Sequence, residues 1–296
     1  MHIRHTPLFR KAAAVAVTLG LAAGITACAS DGSDDDVITI GSTEADKSQW
    51  KVFQEKAKAA GLNVEVKGFT DYNTPNQALS EDELDVNQFQ HLLFLANYNV
   101  NSDADLVPFG ATEIFPLGLY FKDGSTVADV EKAGEVVIPN DPTNQGRAIN
   151  VLVQAGLVTL SKDGLLTPTP ADVDTAKSKV KITAVDASQT VAGYQDGKPA
   201  VINNNFLEGA EVTAQEAVFK DDPSKPEAQP YINVWVTTAD RKDDENYRKL
   251  VEIFHDPEVQ EAVQNDTNGS AVEVNNSAEE LQQILTDTEA KIKEQN

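Results

Sequence analysis

Short apolar runs closed by turn-forming residues recur along this chain, each followed by a stretch of helical periodicity, and that alternation restricts it to an α/β fold. Val37-Ile38-Thr39-Ile40 ends in Gly41 as a first strand, and Trp50, Phe53 and Ala57 follow at helical spacing. Val64-Glu65-Val66 alternates as a second strand. Glu135-Val136-Val137-Ile138-Pro139 and Pro199-Ala200-Val201-Ile202 have the unbroken apolar character of strands buried on both faces of a parallel sheet. Further on, Asp243 or Asp244 caps a helix whose Tyr247, Leu250, Val251 and Phe254 form one stripe, and Asp256-Pro257 opens the next. Ser277 with Glu280 makes a capping box for a last helix lined by Leu281, Ile284, Leu285 and Ile292. At 296 residues and 41% hydrophobic content the chain fills two domains or one large one.

The N-terminus stands apart from this pattern. Arg4, Arg10 and Lys11 precede an apolar run from Ala12 to Ile25, long enough for a signal-peptide core and short for a membrane span. It closes on Ile25-Thr26-Ala27-Cys28, which resembles the lipobox of bacterial lipoproteins. That resemblance makes residues 1–27 a lipoprotein signal peptide and Cys28 the site of diacylglycerol attachment, the alternative being an ordinary secretory signal with a chance cysteine. Residues 28–36 are then a lipid-anchored flexible tether, too polar to fold. Cys28 is the only cysteine, so no intramolecular disulfide is available.

Charge narrows the partners. With 24 Lys+Arg against 47 Asp+Glu, a formal net charge of −23 repels a phosphate backbone, and no nucleic-acid partner is expected. Past the signal region only His91 and His255 remain, too few for a histidine-rich zinc site, and no metal or cofactor is expected. No H-E-x-x-H, G-x-S-x-G or Walker sequence is present, and the single cysteine is the anchor, so no catalytic residue is assigned and the chain reads as a non-enzyme. The acidic clusters Glu81-Asp82-Glu83 and Asp221-Asp222 read as solvated surface.

The informative polar residues follow the buried strands. Asn140-Asp141-Pro142-Thr143-Asn144-Gln145-Gly146-Arg147 joins a strand to a helix N-terminus, where free N–H groups favour an anion such as a carboxylate and Arg147 adds a fork. Asn203 to Asn205 sit at the carboxyl end of a strand, where open α/β sheets bind ligands. Asn233 interrupts Tyr231-Ile232-Asn233-Val234-Trp235-Val236 and needs hydrogen-bond partners if buried. Turn and cap chemistry is the alternative reading of each taken alone.

Together with Asp71-Tyr72, Pro75-Asn76 and Asp85-Val86-Asn87-Gln88-Phe89-Gln90-His91, these segments resemble, in order from about Ile38 to Gly269, the methionine-binding lipoproteins of bacterial ABC importers, the MetQ/NlpA family. The last helix, from Ser277, extends beyond the usual family end. The resemblance implies an α/β, two-lobed periplasmic-binding-protein type II-like fold with a hinge and an interlobe ligand cleft. The first lobe would comprise 37–122 with 229–296, and the second 123–228. It also implies an extracytoplasmic, lipid-anchored protein of the cell membrane that binds L-methionine and delivers it to an ABC permease and ATPase complex. Carried over by position, Arg147 clamps the ligand carboxylate, Asn144, Asn203 and Asn233 bond its polar end, and Tyr72, His91, Phe94 and Phe115 wall the thioether. Relatives often carry Lys-Pro-Tyr where this chain has Leu92-Leu93-Phe94, and Tyr where it has Phe115, so two phenol groups are replaced and the side-chain pocket is less polar. Another apolar amino acid, D-methionine, methionine sulfoxide or a short methionine-containing peptide is the alternative ligand. The rivals from other classes are a secreted hydrolase and a surface interaction protein with a vestigial pocket.

Overall fold

The computed structural model describes residues 37–162 and 164–295. The expected signal peptide, Cys28 and the tether lie outside the described residues. The chain opens with β1 (Val37–Ser42), α1 (Ser48–Ala59), β2 (Asn63–Gly68), α2 (Thr74–Ser80), β3 (Val86–His91), α3 (Leu92–Ser102), β4 (Val107–Ala111) and β5 (Glu113–Ile114). It continues through β6 (Gly118–Tyr120), α4 (Val127–Ala133), β7 (Glu135–Pro139), α5 (Pro142–Gln154), β8 (Lys181–Val185), α6 (Thr190–Gln195), β9 (Ala200–Ile202) and β10 (Phe219–Lys220). It returns with β11 (Asn233–Thr237), α7 (Glu245–Phe254), α8 (Pro257–Asp266), β12 (Val272–Glu273) and α9 (Ala278–Gln295).

Two five-stranded sheets result, one in order β2-β1-β3-β11-β4 and the other β10-β6-β9-β7-β8, with β12 and β5 paired as a separate two-stranded sheet. The expected parallel strands are there: β7 runs parallel to both β8 and β9, and β1 to both β2 and β3. Each sheet also contains a reversed strand, β11 in the first and β6 in the second. These are the strands by which the chain enters each lobe from the other, so they arrive running the opposite way. The first lobe was expected to run to Lys122, but β6 belongs to the second sheet, which puts the crossover before Gly118. A three-residue strand carries too little periodicity to mark that boundary.

Alternation along the central strands sends side chains into a core on each face. In β11, Val234 and Val236 join Leu92, Leu95, Leu281 and Leu285, whereas Trp235 points to Trp50, Phe53 and Phe254 on the other side. Trp50 and Trp235 meet edge-on at 5.8 Å, and each buried aromatic of this kind stabilises the fold by roughly 1.5–3 kcal/mol. In β7, Val136 and Ile138 face Leu152 and Val201, while Val137 faces Tyr120 and Ile202. The caps read from sequence hold. Asp244 and Asp256 start α7 and α8, and Ser277 and Glu280 bond each other's backbone N–H ahead of α9. Among the described residues no helix is long and apolar enough to cross a membrane.

Candidate functional site

The carboxyl ends of β1, β3, β7 and β9, together with the first residue of the reversed strand β11, meet along one cleft between the lobes. It contains about 570 Å³ of empty space, part of it open to solvent. Tyr72, His91, Phe94, Phe115, Asn144, Arg147, Asn203 and Asn233, the eight residues named from sequence, all line it. Thr43, Glu44 and Phe89 also line it and were not named as binding residues, and Asn204 and Asn205, noted only as neighbours of Asn203, line it too.

The cationic corner is built on α5. Gly146 lets this helix approach the loop at Thr167 so closely that an added Cβ would stand 2.7 Å from the Thr167 Cα. One residue on, Arg147 is buried, with its Nε donating to Asp221 at 2.7 Å and its Nη2 to the Phe115 carbonyl at 2.8 Å. Its guanidinium lies 4.1 Å from the centre of the Tyr231 ring. Among the described residues Nη1 makes no hydrogen bond, and Arg147 lines this cleft as well as a second cavity beside Asp221 and Tyr231. Asp221 also accepts the Leu117 N–H at 2.8 Å and is only 13% exposed, which overturns its assignment to solvated surface. The error has a physical source, since composition shows two adjacent acids but not the arginine waiting for one of them.

The helix N-terminus works differently from the sequence expectation. Asp141 caps α5 and accepts the Asn144 N–H at 2.9 Å, so the protein's own carboxylate takes the seat proposed for a ligand anion. Burial pushes the Asp141 carboxyl above its ordinary value. Asn144 is held there as well, its Nδ2 donating to Asp141 and its Oδ1 accepting the Asn203 Nδ2 at 2.8 Å.

His91, at the end of β3, accepts the Phe94 N–H on Nδ1, which places its proton on Nε2, 3.4 Å from the Asn144 Oδ1. Burial, reinforced by Arg147, lowers its pKa to about 3, so it is neutral at ordinary pH. Asn233 donates to the Glu113 carbonyl at 3.3 Å. The aromatic wall is a mutual cluster: Tyr72 lies 6.0 Å from Phe94 and 6.3 Å from Phe89, all three half-buried. The Tyr72 hydroxyl donates to Asn205, and burial raises its pKa well above the usual phenol value. The other motif residues are structural. Asn76, Asn87 and Gln90 form a buried amide network that ties α2 to β3, with Asn76 Nδ2 on Gln90 at 2.7 Å and Asn87 Nδ2 on Asn76 at 2.9 Å.

Two α/β lobes that close on a half-apolar cleft with one buried cation define a solute-binding protein of the two-lobed type. The chain belongs to the NlpA lipoprotein family, whose sequence profile matches residues 38–275 and so ends ahead of α9. It is 35% identical over 270 residues to the D-methionine-binding lipoprotein MetQ of Escherichia coli K12, covering 89% of this chain and 97% of that one. Protein PG110 from Staphylococcus aureus superposes with a TM-score of 0.80 at 36% identity, over 85% of this chain and 99% of the other. A nutrient-binding protein from Burkholderia cenocepacia bound to methionine superposes at 0.74 with 33% identity, over 80% and 99%.

Proposed function

We propose that this chain is an extracytoplasmic solute-binding lipoprotein that encloses L-methionine, or a close analogue, between its lobes and delivers it to a membrane ABC permease and ATPase. The observation that carries this reading is the pairing of Arg147, whose Nη1 makes no hydrogen bond among the described residues, with an aromatic wall of Tyr72, Phe89 and Phe94 in one cleft. The carboxylate of an amino acid suits the first and a polarizable thioether the second. Similarity to a methionine-bound structure supports the same ligand class. In this reading Cys28 carries the lipid that keeps the protein at the membrane, and the lobes take no part in anchoring.

Ligand co-purified with the domain from Asp36 onward, identified by mass spectrometry, tests the class directly. Calorimetric titration then orders the analogues: L-methionine first, norleucine weaker, methionine methyl ester poor, and D-methionine placed by the same series. Binding of the ester as tightly as the free acid would remove the carboxylate from the reading.

A further inference from the structure

The geometry points to Glu44 as the residue that receives the ligand's α-ammonium, making this cleft selective for zwitterions over simple carboxylic acids. This rests on the amino-acid reading above and adds the group that reads the other end of the ligand. Glu44 follows β1 at the cleft wall, and among the described residues its carboxylate accepts no hydrogen bond and joins no ion pair. Lys47, three residues on, is engaged by Glu208 across the cleft. On the opposite lobe, the Asn203 Oδ1 is buried and has no donor, because its amide is turned so that Nδ2 serves Asn144. Buried acceptors are normally satisfied, and one left open in a ligand cleft awaits a donor. Glu44 and Asn203 thus leave two acceptors unmatched in a cleft whose one cationic lining residue, Arg147, keeps its Nη1 without a hydrogen bond among the described residues. Carboxylate on one corner and ammonium on the other is the complement of that arrangement.

The two acceptors also belong to different lobes. An ammonium shared between them makes its full set of contacts only when the lobes are together, which is the differential interaction that a ligand needs to favour closure. Burial raises the Glu44 pKa to about 7 in the empty cleft, and a cation beside it restores the ionised form. The charged groups around it are Lys47 and Asp46 on its own loop, Asp266 from α8, Glu113 from β5, Glu208 from the facing lobe and Arg147 across the cleft.

The test is a titration of the unaltered protein and Glu44→Gln with L-methionine and with 4-(methylthio)butanoate, which keeps the carboxylate and thioether but lacks the ammonium. The unaltered protein should prefer methionine by at least a hundredfold. In Glu44→Gln, methionine affinity should fall at least tenfold while the deaminated acid binds as well or better, since an anion has been removed from its path. Between pH 6 and 8, methionine affinity should rise about tenfold in the unaltered protein and stay flat in the variant, from a group that titrates near 7. Because a buried charge is removed, the empty variant should melt at the same temperature or higher, which separates lost recognition from lost folding. Equal selectivity in both proteins, with methionine still bound, overturns the role of Glu44 alone. Absence of methionine binding in the unaltered protein overturns the ligand reading and this inference with it.

Discussion

The two polar corners of the cleft are prepared in opposite ways. Around Arg147 the protein supplies nearly everything itself: an ion pair to Asp221, a carbonyl from Phe115 and the face of Tyr231. Around Glu44 and Asn203 it supplies almost nothing, leaving acceptors open. A guanidinium taken out of water needs compensation before any ligand arrives, and the desolvation cost of an unpaired buried ion amounts to several kcal/mol. A carboxyl can instead take up a proton while it waits, as the Glu44 pKa of about 7 allows. The cationic corner is therefore preorganised and the anionic corner conditional.

Truncating Arg147 should produce the largest effect and should strike twice. Arg147→Ala removes the anion-binding nitrogen and also strands Asp221 in a half-closed site, where breaking a buried pair costs about 3–5 kcal/mol. Methionine affinity should fall more than a hundredfold and the ligand-free protein should melt many degrees lower. The double change Arg147→Met with Asp221→Asn should recover most of the melting temperature and none of the affinity. Recovery of both would move the carboxylate seat elsewhere in the cleft.

The conditional corner has a deeper companion in Glu113, on β5, 3% exposed and with its Oε2 lacking a partner. Burial, with Glu44 adding repulsion, raises its pKa to about 8. An acid whose folded pKa exceeds its unfolded value stabilises the fold only while protonated. Its contribution is complete below the unfolded pKa near 4.5 and is lost as pH rises towards 8. Between pH 5.5 and 8 that loss amounts to at most about 3 kcal/mol, at 1.36 kcal/mol per pKa unit. Denaturant unfolding should show stability declining over this window in the unaltered protein, with a much shallower slope in Glu113→Gln. Parallel profiles would mean that water or rearrangement already compensates the buried carboxylate.

The same contrast explains what the sequence could disclose. Arg147, Asn144 and Asn203 follow strong apolar strands, so the rule that ligands gather at strand carboxyl ends singles them out, and the family resemblance set binding above turn and cap chemistry for them. Thr43 and Glu44 follow β1 by the same rule and were open to it, but a lone acid after a strand has the composition of any loop. Asp221 was beyond reach because its meaning lies in a partner 74 residues away. The reversed strands were hidden for a related reason: β6 and β11 are defined by the partners they pair with, and their own residues carry no mark of direction. Helix caps, which act over three residues, were legible at α7, α8 and α9, whereas the Asp141 cap of α5 was read as an open anion seat.

The smallest expected effect separates ligand-driven closure from closure the protein performs alone. Tyr72 on the first lobe donates to Asn205 on the second, and Ser270 donates similarly to Asn204 at 3.0 Å. These contacts hold the lobes together without a ligand, but each exchanges a protein bond for one to water, worth about 0.5–1.5 kcal/mol net. Tyr72→Phe keeps the aromatic wall against Phe94 and removes only the hydroxyl. If the ligand's two charged ends dominate closure, the substitution should weaken methionine binding by less than tenfold and leave the zwitterion preference unchanged. Small-angle scattering should then still show methionine compacting the variant. A loss of compaction in Tyr72→Phe, or an affinity drop as large as that of Arg147→Ala, would show that the interlobe latch, and not the difference between the two corners, sets the closed state.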